Sequence, residues 1–331
     1  MSTKVTIYEV ALAARVSLAT VSRVLNNPEK VKPDTRDRVL KVIKELGYRP
    51  NAIARGLASR KTTTVGVLIS DITRASVAEM LGGISDIAMK YSYSIKLFSA
   101  HENINIQDLL NDIVAEQVDG VLLLNDELDS IQMKTIKDTF ESNEIPFVLA
   151  NVIYDDSTVP SVSIDYEKAG FEITKMMIEA GKKDIYMLST VRKYSVNDKK
   201  ELGYVNAMKA SGLEPRVFRT SGNTSVNRQH FANFFSDKTI DGAIGVRDSI
   251  AVSFMNIANE SGRIVPNHVV VAGFQNTKYG ILSRPTMTSI DIPVYDIGAV
   301  AMRLLTKLMN KETPDSLQVV LPHYIVRRES L

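Results

Sequence analysis

The sequence predicts an all-α helix-turn-helix head attached to an α/β core of two Rossmann-like subdomains. Three observations lead there. Residues 7–46 carry short amphipathic helix patterns separated by polar turns. From Thr62 onward, apolar strand-like runs alternate with helical stretches. Charge divides between the two regions: residues 1–61 hold 13 Lys and Arg against 5 Asp and Glu, whereas the rest of the chain holds 27 against 33. A small basic head on an acidic body marks a polyanion-binding module joined to something else, although charge taken alone reads as a solvated basic surface.

Composition narrows the class further. A chain of 331 residues is long enough for two domains of about 150 residues each. It is 44% hydrophobic and 24% charged, with a formal net charge of only +2, which is ordinary globular composition and not that of a disordered or fibrous chain. The absence of cysteine excludes a disulfide framework, a thiol nucleophile and any cysteine-ligated metal, and it fits a reducing compartment. No apolar run approaches the roughly 18 residues of a membrane span, and the start MSTKVTIYEV lacks the apolar stretch of a secretory signal. A cytoplasmic protein with no membrane association is therefore expected.

The head opens with Thr6, which can cap a helix over residues 7–14 whose apolar Ile7, Val10, Ala11 and Ala14 follow the i, i+3, i+4, i+7 rule. After a break at Arg15-Val16-Ser17, Ser17 can cap a second helix over residues 18–25. Val21, Val24 and Leu25 share one face of it, which leaves Leu18, Ala19, Ser22 and Arg23 for the other. The polar turn Asn26-Asn27-Pro28-Glu29 follows. A third helix starts at Pro33, a favoured first-turn residue, turns Val39, Val42, Ile43 and Leu46 inward and stops at Gly47. Two short helices about a turn apart, braced by a third, are the unit that lays a recognition helix in the major groove of DNA. The segment from Asn51 to Ser59 has Gly56 in its interior and too few apolar residues to stand as an isolated helix.

In the core, VGVLI, SIKLFS, DGVLLL and PFVLANV read as buried strands, separated by amphipathic stretches near residues 77–91, 106–117 and 131–142. The alternation resumes after Asp165 with strands at 185–189, 241–246 and 269–274. Such βαβ units imply parallel sheets. An enzyme is not expected. No G-x-G-x-x-G follows a strand, neither G-x-x-x-x-G-K-[ST] nor H-E-x-x-H occurs, the four histidines (His101, His230, His268, His323) lack ligand spacing, and the Asp155-Asp156 pair sits in a loop. No metal or cofactor is expected either.

The runs VTIYEVALAARVSLATVSRVLNN and VKPDTRDRVLKVIKELGYRPNAIARGLASRKTTTVGVLI resemble the amino-terminal region of the LacI/GalR family of bacterial repressors. The resemblance implies a DNA-binding domain over 1–49, a hinge over 50–61 and a two-lobed core over 62–331 of the periplasmic-binding-protein type I. The first lobe would take about 62–161 and 292–321, the second about 162–291 and 322–331, with the chain crossing near 161–164, 289–292 and 321–324. It further implies that Leu18, Ala19, Thr20, Ser22 and Arg23 face DNA, with Arg23 available for bidentate contact to guanine. Thr6, Tyr8, Asn26, Thr35 and Asn51 would hold the phosphate backbone, contacts that fix register without reading sequence, and Ser17 would be a further DNA-binding residue. In the hinge, Ala54, Leu57 and Ala58 would meet the minor groove, Leu57 as a wedge at the centre of the site. Family members bind near-palindromic double-stranded operators as homodimers, and no leucine-heptad segment follows the last strand, so a dimer is expected over a tetramer.

Two candidate regulatory sites remain. In the interlobe cleft the family commonly places an Asn and an aromatic after the first core strand, an Arg before a Gly-Tyr, and an Asp after a Gly-Phe. This chain has Arg74, Ser76 and Val77 at the first place, Lys200 before Gly203-Tyr204 at the second and Gln275 after Gly273-Phe274 at the third. That set lacks the acid, the guanidinium and the stacking ring of a conventional sugar pocket, leaving Arg74, Lys200, Asp248 and Gln275 as candidates for some other small ligand. In the late helix, Asp296, Arg303 and Lys307 fall at i, i+7 and i+11 with Ala299 and Val300 on the same face. Arg303 and Lys307 can together grip a dianionic phosphate, although spacing alone reads as a solvated basic pair. This helix, with QVDGV and PSVSIDY, resembles the family members of carbon catabolite control in low-GC Gram-positive bacteria. Their partner is the phosphocarrier protein HPr phosphorylated on a serine, and the resemblance implies that Arg303 and Lys307 receive the phosphate while Tyr295 and Asp296 touch the surrounding surface. The helix that reads AEMLGGISDIAMKYSYS departs from the pattern of those members at Gly82-Gly83. The alternative is a repressor of a local operon controlled by a small metabolite in the cleft.

Overall fold

The computed structural model describes residues 5–48, 62–100, 105–237 and 240–331. The chain divides after Thr62 into two compact units. In the first, helix α1 (Ile7–Ala14) opens with a capping box in which the Thr6 hydroxyl accepts from Glu9 N and the Glu9 carboxylate accepts from Thr6 N at 2.7 Å. Such a cap contributes about 1 kcal/mol. Helix α2 (Leu18–Asn26) starts at Ser17, whose hydroxyl accepts from Thr20 N at 3.2 Å. A short 3-10 turn (Pro28–Lys30) leads to α3 (Pro33–Leu46), closed by the left-handed Gly47. Val10, Ala11 and Ala14 of α1, Val21 and Val24 of α2 and Val39 of α3 make one small core. Val42 and Ile43 pack on it half-buried, but Leu46, expected inside, is exposed, and Tyr48 beyond Gly47 packs on the core in its stead.

The second unit holds two six-stranded sheets with the same plan. In the first lobe come β1 (Thr64–Ile69), α4 (Ala75–Lys90), β2 (Ser94–Ser99), α5 (Ile106–Ala115), β3 (Gly120–Leu123), α6 (Ser130–Ser142), β4 (Phe147–Ala150) and β5 (Ser161–Ile164). The chain then crosses into α7 (Tyr166–Glu179), β6 (Ile185–Thr190), α8 (Ser195–Ala210), β7 (Arg216–Thr220), α9 (Thr224–Asp237), β8 (Gly242–Gly245), α10 (Asp248–Glu260), β9 (Val270–Phe274), α11 (Lys278–Leu282) and β10 (Thr288–Asp291). It returns to the first lobe with α12 (Val294–Met309) and β11 (Gln318–Leu321), and ends in the second with β12 (Tyr324–Val326). The strand orders are β11-β5-β4-β3-β1-β2 and β12-β10-β9-β8-β6-β7. Every pairing is parallel except β10 with β12. The runs that form β1, β3, β4 and β6 are buried on both faces, as expected for sheets covered by helices, but SIKLFS, expected to be buried, forms the edge strand β2 and leaves Ser94 and Leu97 exposed.

Candidate functional site

Each sheet reverses its strand order at the same place. β1 lies between β2 and β3, and β6 lies between β7 and β8, so each lobe has a crevice outside the carboxyl ends of two adjacent strands. Arg74 follows β1, Asp126 and Glu127 follow β3, Arg192 and Tyr194 follow β6, and Arg247 follows β8. Arg74 donates through Nη1 and Nη2 to the two oxygens of Asp126 at 2.8 and 3.3 Å, a bidentate pair in a largely buried setting. Glu127, 3.8 Å from the same guanidinium, pairs across the crevice with Arg192. The Tyr194 ring of the second lobe receives Arg74 at 5.1 Å and Arg247 at 5.5 Å from its centroid. Backbone joins in: Ser195 N donates to Asp126 O at 2.8 Å, and Ile153 N donates to Ser195 Oγ at 3.1 Å. The Tyr166 hydroxyl donates to Asn151 Oδ1 between the lobes. Burial pulls the Arg247 guanidinium below its ordinary value, and its Nε has no hydrogen-bond partner among the described residues. Gly222, at a φ of 78° that favours glycine, lies against this guanidinium, and a Cβ there would stand 2.4 Å from Arg247 Nη2.

The crevice thus contains the acid, the guanidinium and the ring that the sequence motifs lacked, supplied from other positions. These residues lie just past strand ends at the switch points, and strand order is not legible in one sequence. Of the four candidates named from motifs, Arg74 stands in the crevice. Lys200 does not. It is 1% exposed, its ammonium donates to Val246 O at 3.0 Å and to Asn197 Oδ1 at 3.3 Å, and it lies 5.1 Å from the ring centres of both Tyr166 and Phe274. Burial, partly offset by Asp126, pushes its pKa down to about 7. Asp248 is also internal, accepting from the Ser289 hydroxyl and from Thr277 N and Oγ1, with its pKa raised to about 6 by burial. Gln275 caps the end of β9 with φ of 103°. A cavity of about 680 Å³ beside Asp126 and Glu127 is lined from both lobes, by Asp129, Met133, Lys193 and Asp198 among others.

In the head, Leu18, Ala19 and Arg23 are exposed on the side of α2 opposite buried Val21 and Val24, with Thr20 and Ser22 half-buried at the margins. Ser17 and Thr20 share a hydroxyl hydrogen bond of 2.9 Å. Tyr8 of α1 is 68% exposed, Thr35 sits in the first turn of α3, and Asn26 is the last residue of α2. Asn51, Ala54, Leu57 and Ala58, with the hinge over 50–61, lie outside the described residues.

On α12, Tyr295, Asp296 and Arg303 are exposed, and Val300 and Lys307 are half-buried at the same surface. Ala299, expected on that face, is only 5% exposed, because α4 packs directly against it. The close approach explains Gly83. A Cβ there would stand 2.1 Å from the Tyr295 carbonyl oxygen, and a Cβ on Gly298 would stand 2.2 Å from the Met80 carbonyl oxygen. The two helices therefore touch backbone to backbone. Tyr295 bridges the seam, its hydroxyl donating to Asp86 of α4 at 2.5 Å, and Lys307 pairs with Asp315 at 3.2 Å.

A helix-turn-helix unit and a core of two such lobes define a DNA-binding regulator whose core is built like a periplasmic binding protein. Residues 6–51 match the model of bacterial regulatory proteins of the lacI family, and residues 160–331 match the periplasmic binding protein-like domain. The chain belongs to the LacI family of transcriptional regulators. It is 43% identical to catabolite control protein A of Priestia megaterium over 98% of this chain and 99% of that protein. The crystal structure of transcription regulator CcpA of Lactococcus lactis superposes with a TM-score of 0.71 at 32% identity, covering 81% of this chain and 98% of that one. The lac repressor dimer bound to operator and the anti-inducer ONPF, at 21% identity, shares the fold with a TM-score of 0.88 over 98% of each chain. These relatives are transcriptional regulators and not enzymes. Among the described residues no helix is long and apolar enough to cross a membrane.

Proposed function

We propose that this protein regulates carbon catabolite genes in the cytoplasm as a homodimer, binding near-palindromic operators with serine-phosphorylated HPr as corepressor. The observation that supports it most is the α12 surface: exposed Arg303 with Lys307 one turn on, beside exposed Tyr295 and Asp296, in a chain 43% identical to a catabolite control protein. Residues 1–49 act as the DNA-binding domain, 50–61 as the hinge and 62–331 as the core. Leu18, Ala19, Ser22 and Arg23 read base edges in the major groove, and Thr6, Tyr8, Ser17, Thr20, Asn26, Thr35 and Asn51 hold phosphates. Paired hinges place Ala54, Leu57 and Ala58 in the minor groove, where the Leu57 wedge exchanges a few kcal/mol of unstacking for a bent duplex that meets more protein. On the core, a phosphoserine takes charge-assisted hydrogen bonds from Arg303 and Lys307, Lys307 exchanging Asp315 for the phosphate. Asp296 and Tyr295 meet the surrounding basic and apolar surface of the partner.

Mobility shift of a palindromic duplex, with and without serine-phosphorylated HPr, tests this. The partner tightens binding, and Arg303→Ala removes that gain while leaving partner-free binding intact; a duplex affinity indifferent to the partner overturns the reading. Leu57→Ala weakens specific binding far more than binding to scrambled duplex, and equal loss on both counts against a wedge.

A further inference from the structure

We infer that the interlobe crevice is closed by the chain's own side chains, a latch of Arg74, Glu127, Arg192 and Tyr194 that holds the lobes together without a small effector. Open α/β sheets take ligands at their switch points because strand ends there leave a gap lined by loops. Here that gap is bridged from both sides, with a cavity of about 680 Å³ left beside Asp126 and Glu127. Arg74 and Glu127 come from the switch-point strands of the first lobe, and Arg192 and Tyr194 from the first of the two switch-point strands of the second. The Glu127 and Arg192 charges meet across the crevice, and the Arg74 guanidinium lies against the ring of Tyr194, which is 8% exposed. Asp126 fixes Arg74 by its bidentate pair and also accepts the Ser195 backbone N–H from the opposite lobe.

Arg74, Asp126, Glu127 and Arg192, groups that a polyhydroxylated or anionic ligand would use, are therefore already engaged with one another. To reach them, a ligand must separate Arg74 from Asp126 or Glu127 from Arg192, leaving the largely buried Arg74 and Asp126, or Glu127, unpaired. Closure becomes a property of the sequence. Control of the core is then left to its outer surface, and this inference goes beyond the proposed partner: it concerns what the crevice no longer needs.

The absence of cysteine makes a direct test practical, because two introduced thiols can be labelled without background. Exposed Lys134 of the first lobe and Lys209 of the second are changed to Cys in the full chain, spin-labelled, and their separation measured by double electron–electron resonance. The expected result is one short, narrow distance distribution in buffer, unchanged by millimolar glucose, glucose 6-phosphate, adenine or inorganic phosphate. Adding Glu127→Gln with Arg192→Gln shifts the distribution to longer distance. Tyr194→Leu, which leaves the ion pairs in place, does the same and decides the matter if the first variant does not fold. A broad unliganded distribution that any of the four probes narrows would overturn the latch, as would folded variants that keep the original distance. Either outcome is separable from the operator and HPr reading, which the mobility shift measures without reference to lobe separation.

Discussion

Lys200 shows how much of a residue's setting a motif leaves open. Its place before Gly203-Tyr204 suggests a cleft residue, yet α8 turns it into the lobe, where Tyr166 and Phe274 enclose the ammonium. Which way a helical residue points depends on the neighbour the helix packs against, and that neighbour, α7, is fixed only by the tertiary fold. Burial lowers its pKa from 10.5 to about 7, with Asp126 and Asp248 opposing the shift and Arg247 and Arg74 adding to it. Between about pH 7 and 10.5 the unfolded chain then binds a proton that the folded chain has released, so stability rises with pH across that window. Below pH 7 both states are protonated and the penalty is constant. Lys200→Met removes this contribution: chemical denaturation from pH 7 to 10 should show a flatter stability profile than the parent chain, with the largest gain for the variant at pH 7. A difference between the two proteins that does not change with pH would mean the ammonium is not the source. Asp248 works in the opposite direction. With its pKa raised from 3.8 to about 6, it makes stability fall as pH climbs through that interval.

Elements were more legible than residues. Period-3.6 patterns located α1 to α3 and the helices of the first lobe, and apolar runs located β1 to β4, because burial of one stripe or both faces writes itself into the order of side chains. The same logic set Leu18, Ala19 and Arg23 on the open face of α2. Gly82-Gly83 could not be read that way. Two glycines in a helix look like weak helix formation, costing about 1 kcal/mol each relative to alanine, and only α12, about 200 residues later, reveals that one of them is a contact point. The two glycines consequently behave differently on substitution. Gly83→Ala drives a methyl group to 2.1 Å from the Tyr295 carbonyl oxygen and should cost about 1–3 kcal/mol or more as the helices are forced apart. Gly82→Ala meets nothing closer than the Tyr295 ring at 3.7 Å and should gain about 0.5–1 kcal/mol from helix propensity. Thermal unfolding of both separates the seam from simple propensity. Because Arg303 and Lys307 ride on α12, the proposed capture of phosphorylated HPr should weaken in Gly83→Ala and stay unchanged in Gly82→Ala.

Across the whole molecule the two lobes repeat one design. α7 follows crossover strand β5 and packs on α8, just as α12 follows crossover strand β10 and packs on α4, and both seams close glycine to backbone. A Cβ on Gly203 would stand 2.0 Å from the Glu167 carbonyl oxygen, as one on Gly83 would from Tyr295. Strand order, and with it the latch, follows from this repeat and not from any local pattern, which is why the motifs located the crevice and missed its contents. The basic head sits outside the repeat, and charge separates it from the core more cleanly than any other property. With 13 basic against 5 acidic residues in 1–61 and an excess of acid in the rest, attraction to a polyanion must come from the head, while the core adds repulsion. Counterion release then sets the salt response. If a dimer neutralises 6–10 phosphates, affinity for the operator should fall by roughly 10³–10⁵ between 50 and 200 mM salt. Leu57→Ala should shift that line downward without changing its slope, since a wedge displaces no counterions, whereas Arg23→Ala should lower affinity mainly for duplexes carrying the correct guanine. Titrations at four salt concentrations distinguish these outcomes. A shallow slope for the parent chain, or a slope altered by Leu57→Ala, would mean that affinity does not arise from phosphates held by the head.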